Sequence, residues 1–116
     1  RYHIPMMIGE NGFGYVDVLE EDHSVHDDYR IDYLGKHIRA LQMAIEDGAD
    51  IFAYCSWAPF DIISAGTAEI SKRYVYIYVD YDDYGKGSGA LYKKDSFYWY
   101  KKVIETNGES LSDVFL

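Results

Sequence analysis

Two short apolar runs with one amphipathic helix between them constrain this chain more than any other feature. In "PMMIGENGFG" the residues Met6, Met7 and Ile8 are uninterrupted and apolar, which suits a strand covered on both faces, as in a parallel sheet. Further on, Ile31, Leu34, Ile38, Leu41 and Ile45 recur at three- and four-residue spacing. That spacing predicts an amphipathic helix with Asp27 or Asp28 as N-cap and Gly48 as its stop. The stretch "ADIFAYCSWAPFD" follows directly; it is too short and too aromatic for a helix and ends at Pro59, so it reads as a second buried strand. Strand, helix and strand within about 50 residues form a βαβ unit with parallel strands and a right-handed crossover.

The remainder predicts a strand at 74–79, where Tyr74, Tyr76 and Tyr78 alternate with Val75, Ile77 and Val79, and then a Gly-rich loop, "YGKGSGA". A last helix, "FYWYKKVIET", is expected to be capped by Asp95 or Ser96, to share Phe97, Tyr100 and Ile104 on one face, and to end at Asn107-Gly108. The 116 residues suit one small domain, 1–116. Two features sit badly with a self-contained one: the chain opens just before a strand, and 13 Tyr with 5 Phe are more aromatic surface than so few elements can bury.

Charge and cysteine content narrow the function classes. Acidic residues outnumber basic ones 20 to 11, for a formal net charge of -9, which argues against gripping a nucleic-acid backbone. Cys55 is the single cysteine, without a disulfide partner, and points to a reduced, cytoplasmic setting. No apolar run nears the roughly 20 residues of a membrane span, and the opening "RYHIPMM" lacks the apolar segment of a signal peptide. A soluble protein is expected.

Several residues admit both a plain and a functional reading. Glu10 is either a solvated acid beside an Asn-Gly turn or a carboxylate raised at the carboxyl end of a parallel strand, where barrel folds place their chemistry. Ser64, Lys72 and Tyr74, in "SAGTAEISKRY", are either scattered loop residues or a hydroxyl, an ammonium and a phenol converging on a small anion. Trp57 is either core or a sugar-stacking platform. His3, His23, His26 and His37 show no metal-ligand spacing and read as solvated or helix-surface residues. Asp82-Asp83 reads as a solvated turn, and the acidic loop "DVLEEDHSVHDD" does not have calcium-loop spacing.

Taken together, these stretches resemble the carboxyl-terminal part of glycoside hydrolase family 1, and within it the 6-phospho-β-glucosidases. "PMMIGENGFG" is similar to the family's strand ending in Glu-Asn-Gly. "DDYRIDYLGKHIRALQMAIEDGADIFAYCSW" is similar to the helix and strand after it, and "KRYVYIYVD" and "KKDSFYWYKKVIETNG" to the hairpin strand and last helix. The resemblance implies an α/β fold, the last two strand-helix units of a (β/α)8 barrel plus a β-hairpin, incomplete on its own because such a barrel needs about 250 residues. It implies that Glu10 is the nucleophile of a retaining mechanism, that Trp57, Ser64, Lys72 and Tyr74 bind substrate, and that no cofactor or metal takes part.

Ser64 discriminates within the family, because members acting on plain glucosides carry a glutamate there, whose charge would repel a 6-phosphate. Ala65 stands where phospho-galactosidases resemble one another in having tryptophan, which tilts the expectation toward the gluco epimer. An unphosphorylated β-glucosidase, a 6-phospho-β-galactosidase and a non-catalytic sugar-phosphate binding module are the alternatives. The family's acid/base motif, Asn-Glu-Pro, is absent from these 116 residues, so the chain is expected to be an inactive fragment that associates with the missing remainder of the barrel or with itself.

Overall fold

The computed structural model describes residues 3–74 and 76–113; Val75 of the expected 74–79 strand, and Arg1 and Tyr2 of the opening segment, lie outside the described residues. The elements are β1 (Met6–Ile8), α1 (Asp28–Glu46), β2 (Ile51–Tyr54), β3 (Ile77–Val79), β4 (Leu91–Lys93), α2 (Asp95–Glu105) and a final 3-10 helix (Glu109–Asp113). β1 and β2 pair in parallel, with Met7 opposite Ala53 and Ile8 opposite Tyr54, so the expected βαβ unit is present. β3 and β4 form an antiparallel hairpin with Tyr78 opposite Tyr92.

The strands are shorter and barer than the apolar runs predict. Met6, Met7 and Phe52 are 40%, 48% and 67% exposed, because β1 and β2 have only each other as strand neighbours among the described residues. The residues of a covered strand are there; the cover is not. Among the described residues of 74–79, only Ile77–Val79 is strand. The Tyr76 carbonyl still accepts the Lys94 N–H at 2.9 Å, while its side chain is buried in the core, stacked on Tyr100 at 4.7 Å between ring centroids.

Helix α1 starts and stops where its pattern predicts. Asp27 is its N-cap residue, and Gly48 takes a φ of +96° past its end, a conformation that costs glycine little. The apolar stripe is used unevenly: Leu34 is fully buried, whereas Ile45 is 45% exposed. For α2 the expected cap is corrected. Lys94 is the N-cap residue and Asp95 and Ser96 already lie in the helix, and the Ser96 N–H is satisfied by the Asp27 carboxylate at 2.8 Å. One acid thus stands at the start of one helix and caps the start of another. The inner face of α2 is also shifted, with Val103 buried and Ile104 64% exposed.

The apolar core is thin, centred on Leu34 and Tyr76 with Tyr33, Ile77, Phe97, Trp99 and Tyr100 around them. The chain spans 48 × 30 × 19 Å with a radius of gyration of 15.8 Å, against about 13 Å for a compact domain of this length. It is a slab rather than a globule. No helix among the described residues is long and apolar enough to cross a membrane.

Candidate active site

The end of β1 and the end of β2 run on side by side past their ladder. The Cys55 N–H donates to the Ile8 carbonyl at 2.9 Å, and the Trp57 N–H to the Asn11 carbonyl at 2.7 Å. The Tyr54 hydroxyl reaches the Asn11 side-chain oxygen at 2.8 Å, which fixes the turn directly behind Glu10. A Cβ at Gly12 would come within 3.1 Å of the Trp57 Cβ, so glycine lets the two segments approach. Glu10 itself is exposed at the tip, and no described residue hydrogen-bonds its carboxylate.

The segment before the hairpin docks onto the same region through a second tie. Tyr15 and Arg73 exchange both backbone hydrogen bonds, at 2.9 and 2.7 Å. This brings Tyr74 against Trp57 in an edge-to-face arrangement, 6.3 Å between centroids. Glu10, Asn11, Gly12, Trp57 and Tyr74 line one hollow. Three of the five expected site residues are therefore gathered.

Lys72 and Ser64 lie outside that lining. The Lys72 chain lies across Gly14, so closely that a Cβ there would be 2.6 Å from its Cγ. Ser64 is 2% exposed in a closed turn, where its Oγ accepts the Thr67 N–H at 3.3 Å and its carbonyl accepts the Ala68 N–H at 2.8 Å. The hydroxyl proton of Ser64 remains available to donate. Among the described residues, no group of three His, Cys, Asp or Glu is placed to hold a metal ion.

Behind the hollow lies a cluster of charges that no sequence pattern announces. Arg30 binds Asp17 at 3.0 Å and Asp27 at 2.6 Å; Lys94 binds Asp17 and Asp61, each at 2.7 Å; Arg73 binds Asp61 at 3.3 Å. All six are buried, and their three positive and three negative charges balance. Burial pushes the Lys94 ammonium below its usual range, with Asp61 and Asp17 working against the shift. For Arg30 burial acts in the same direction, but the Asp17 and Asp27 carboxylates together outweigh it and the guanidinium is held still more firmly protonated.

This cluster grips the backbone that carries Tyr74. The Asp61 carboxylate accepts the Tyr74 N–H at 3.1 Å, the Lys94 ammonium donates to the Tyr74 carbonyl at 2.7 Å, and Arg30 donates to the Arg73 carbonyl at 3.2 Å. The Asp17 carboxylate also accepts from the Tyr29 hydroxyl. Asp83 was expected to be solvated only, and this is corrected. It accepts hydrogen bonds from the Ile70 and Ser71 N–H groups and the Ser71 hydroxyl. His26 likewise is not merely solvated: its Nδ1 pairs with Asp95 at 2.7 Å.

A parallel strand ending in an exposed acid, beside a second strand that presents a tryptophan, is the kind of arrangement that glycosidases of the barrel class use. The chain belongs to Glycosyl hydrolase family 1, which it matches over residues 1–109. It is 58% identical over 112 residues to the aryl-phospho-β-D-glucosidase BglA of Bacillus subtilis, covering 96% of this chain and 23% of that protein. To the phospho-cellobiase of Klebsiella oxytoca it is 53% identical, covering 97% and 24%. The family 1 β-glucosidase from Thermotoga maritima superposes with a TM-score of 0.78 at 39% identity, over 88% of this chain and 22% of that one. The fold is thus a carboxyl-terminal slice of a (β/α)8 barrel, and the chain spans about a quarter of the length of the curated relatives it matches.

Proposed function

We propose that this segment supplies the nucleophile and part of the sugar pocket of a retaining glycosidase acting on β-linked 6-phosphoglucosides. Glu10 attacks the anomeric carbon, a covalent glycosyl-enzyme forms, and water then releases the sugar. A second carboxylate must protonate the leaving oxygen and later activate that water. The segment contains no Asn-Glu-Pro, so that group comes from elsewhere in a longer parent chain, and the segment by itself does not hydrolyse substrate. The exposed β1 and β2 faces meet the rest of the barrel, or a second copy if the segment is isolated.

The observation that carries this reading is the hollow at the carboxyl end of β1, where Glu10 stands with Trp57 and Tyr74. Trp57 offers a face or edge to the sugar ring, and Ser64, Lys72 and Tyr74 are assigned to its 6-phosphate. The names of the two curated relatives, a phospho-β-glucosidase and a phospho-cellobiase, support a phosphorylated substrate. No cofactor is needed. A substrate phosphorylated on uptake places the reaction in the cytoplasm.

The test uses the full-length protein that carries this segment, with a chromogenic β-glucoside, its 6-phosphate and the galacto epimer of that phosphate. Turnover of the gluco 6-phosphate, lost about a thousandfold or more in Glu10→Gln, is the expected result. Preference for the plain glucoside, the activity named for the Thermotoga maritima structure, would overturn the phosphate assignment. Preference for the galacto epimer would move the enzyme to the 6-phospho-β-galactosidases. Sugar-phosphate binding without turnover would make it a binding module.

A further inference from the structure

Lys72 stands between two clamps. On its carboxyl side, Arg73 is bridged to Tyr15, and the Arg73 guanidinium also holds the Val79 and Tyr81 carbonyls at 2.7 Å each. That clamp is part of the buried charge cluster. On its amino side the hold comes from one exposed carboxylate in the hairpin loop between β3 and β4. Asp83 Oδ1 accepts the Ile70 N–H at 2.7 Å and the Ser71 N–H at 2.8 Å, and Oδ2 accepts the Ser71 hydroxyl at 2.7 Å.

Three hydrogen bonds from consecutive residues to a single carboxylate fix the local backbone direction. These bonds hold the Asp83 carboxyl below its usual pKa, the Ser71 hydroxyl contributing most and the Ser71 N–H next. The chain immediately after leads into Lys72, which has no ion-pair partner among the described residues and lies pressed against Gly14. Lysine otherwise has four side-chain bonds free to wander, and ordering it at the moment of binding is costly. Holding its Cα in place does not order those bonds, but it fixes the point from which the ammonium reaches.

We propose that Asp83 is a positioning residue for Lys72, fixing the backbone that carries the ammonium so that it meets the 6-phosphate of the sugar. The proposal rests on the phosphate reading given above. Asp83 is itself anionic, so its through-space effect on a nearby phosphate is unfavourable. Its contribution comes from the chain it holds, and two substitutions separate those effects. Asp83→Ala removes both the bonds and the charge. Asp83→Asn removes the charge and keeps an oxygen for the two N–H groups and an amide able to donate to the Ser71 Oγ.

In the full-length protein, Asp83→Ala raises KM for the β-glucoside 6-phosphate about tenfold, with the loss falling on KM rather than kcat. Asp83→Asn stays within about twofold of the parent KM or drops below it. On the plain glucoside, KM in Asp83→Ala moves by less than it does on the phosphate. Equal KM changes on the two substrates, a fall in kcat alone, or a fall in KM for both variants would overturn the role assigned to Asp83. If the parent protein shows no preference for the 6-phosphate, the phosphate reading fails first and the proposal with it. A parent that prefers the phosphate, beside an unaffected Asp83→Ala, sinks the proposal alone.

Discussion

The two sides of the site are built on opposite plans. Behind it, six charged side chains are sealed from water and each has an opposite partner within 3.3 Å; in front, Glu10 stands exposed, with no hydrogen bond from a described residue. Eight polar or charged residues are buried among the described ones, against five apolar residues, so paired charges rather than apolar side chains fill much of the interior. A buried ion without a partner costs several kcal/mol, and hence a fully paired cluster admits few alternative arrangements. An exposed carboxylate carries no such constraint and remains free to react. The contrast teaches that the charges holding the backbone and the charge proposed for the chemistry are kept apart in this segment, separated by a single backbone stretch at Arg73 and Tyr74.

The sharpest way to break that contrast is to remove the acid that links the two sides. Asp61→Ala leaves Arg73 and Lys94 short of a partner and frees the Tyr74 and Val79 N–H groups that Asp61 now accepts. The full-length protein is expected to lose about 3–5 kcal/mol of stability, read as the midpoint of denaturant unfolding. Unchanged stability beside lost turnover would mean that the cluster serves the chemistry directly.

A substitution in front should do the reverse. A Cβ at Gly14 would lie 2.6 Å from the Lys72 Cγ and 2.8 Å from its Cε, so the whole lysine side chain must swing about its Cα–Cβ bond to make room. Gly14→Ala is therefore expected to leave the unfolding midpoint in place while raising KM for the 6-phosphorylated substrate about tenfold, through misplacement of the ammonium. Thermal unfolding and steady-state kinetics on the same preparation check both halves. A shifted midpoint without a change in KM would show Gly14 to be packing alone.

The front was legible in the sequence and the back was not. Glu10, Trp57 and Tyr74 were singled out together through the family resemblance; apolar runs and turn residues placed the segments that carry them but left each residue open between a plain and a functional reading. The helix α1 and the parallel β1-β2 pairing were equally readable, since spacing at three and four residues and the Gly48 stop are local facts. The charge cluster joins Asp17, Arg30, Asp61 and Lys94 across as many as 77 positions, and no local rule links an aspartate to a lysine at that distance. The same limit explains α2, where a cap was sought in Asp95 or Ser96 but arrives from Asp27. Strand burial was overread, because an apolar run reports what a strand needs and not what the chain in hand provides.

The smallest effect sharpens the comparison from a third place, a surface ion pair. His26 is raised above its ordinary 6.5, chiefly by its hydrogen bond to Asp95 and then by that carboxylate's charge. A histidine with a folded pKa above its unfolded one adds stability that is fully present below the unfolded value. That contribution fades as pH rises through the folded value. In His26→Gln the unfolding midpoint should lose this slope above pH 6.5, while Asp95 remains in the first turn of α2, where its charge favours the helix. Both partners are exposed, so salt should flatten the slope as well. The buried pair of Arg30 with Asp17 should show neither response across the same pH range, because the Arg30 guanidinium is held protonated well above it. An NMR titration of the His26 ring that falls at or below its ordinary midpoint would remove this ion pair from the account and leave the pH response of the segment to other groups.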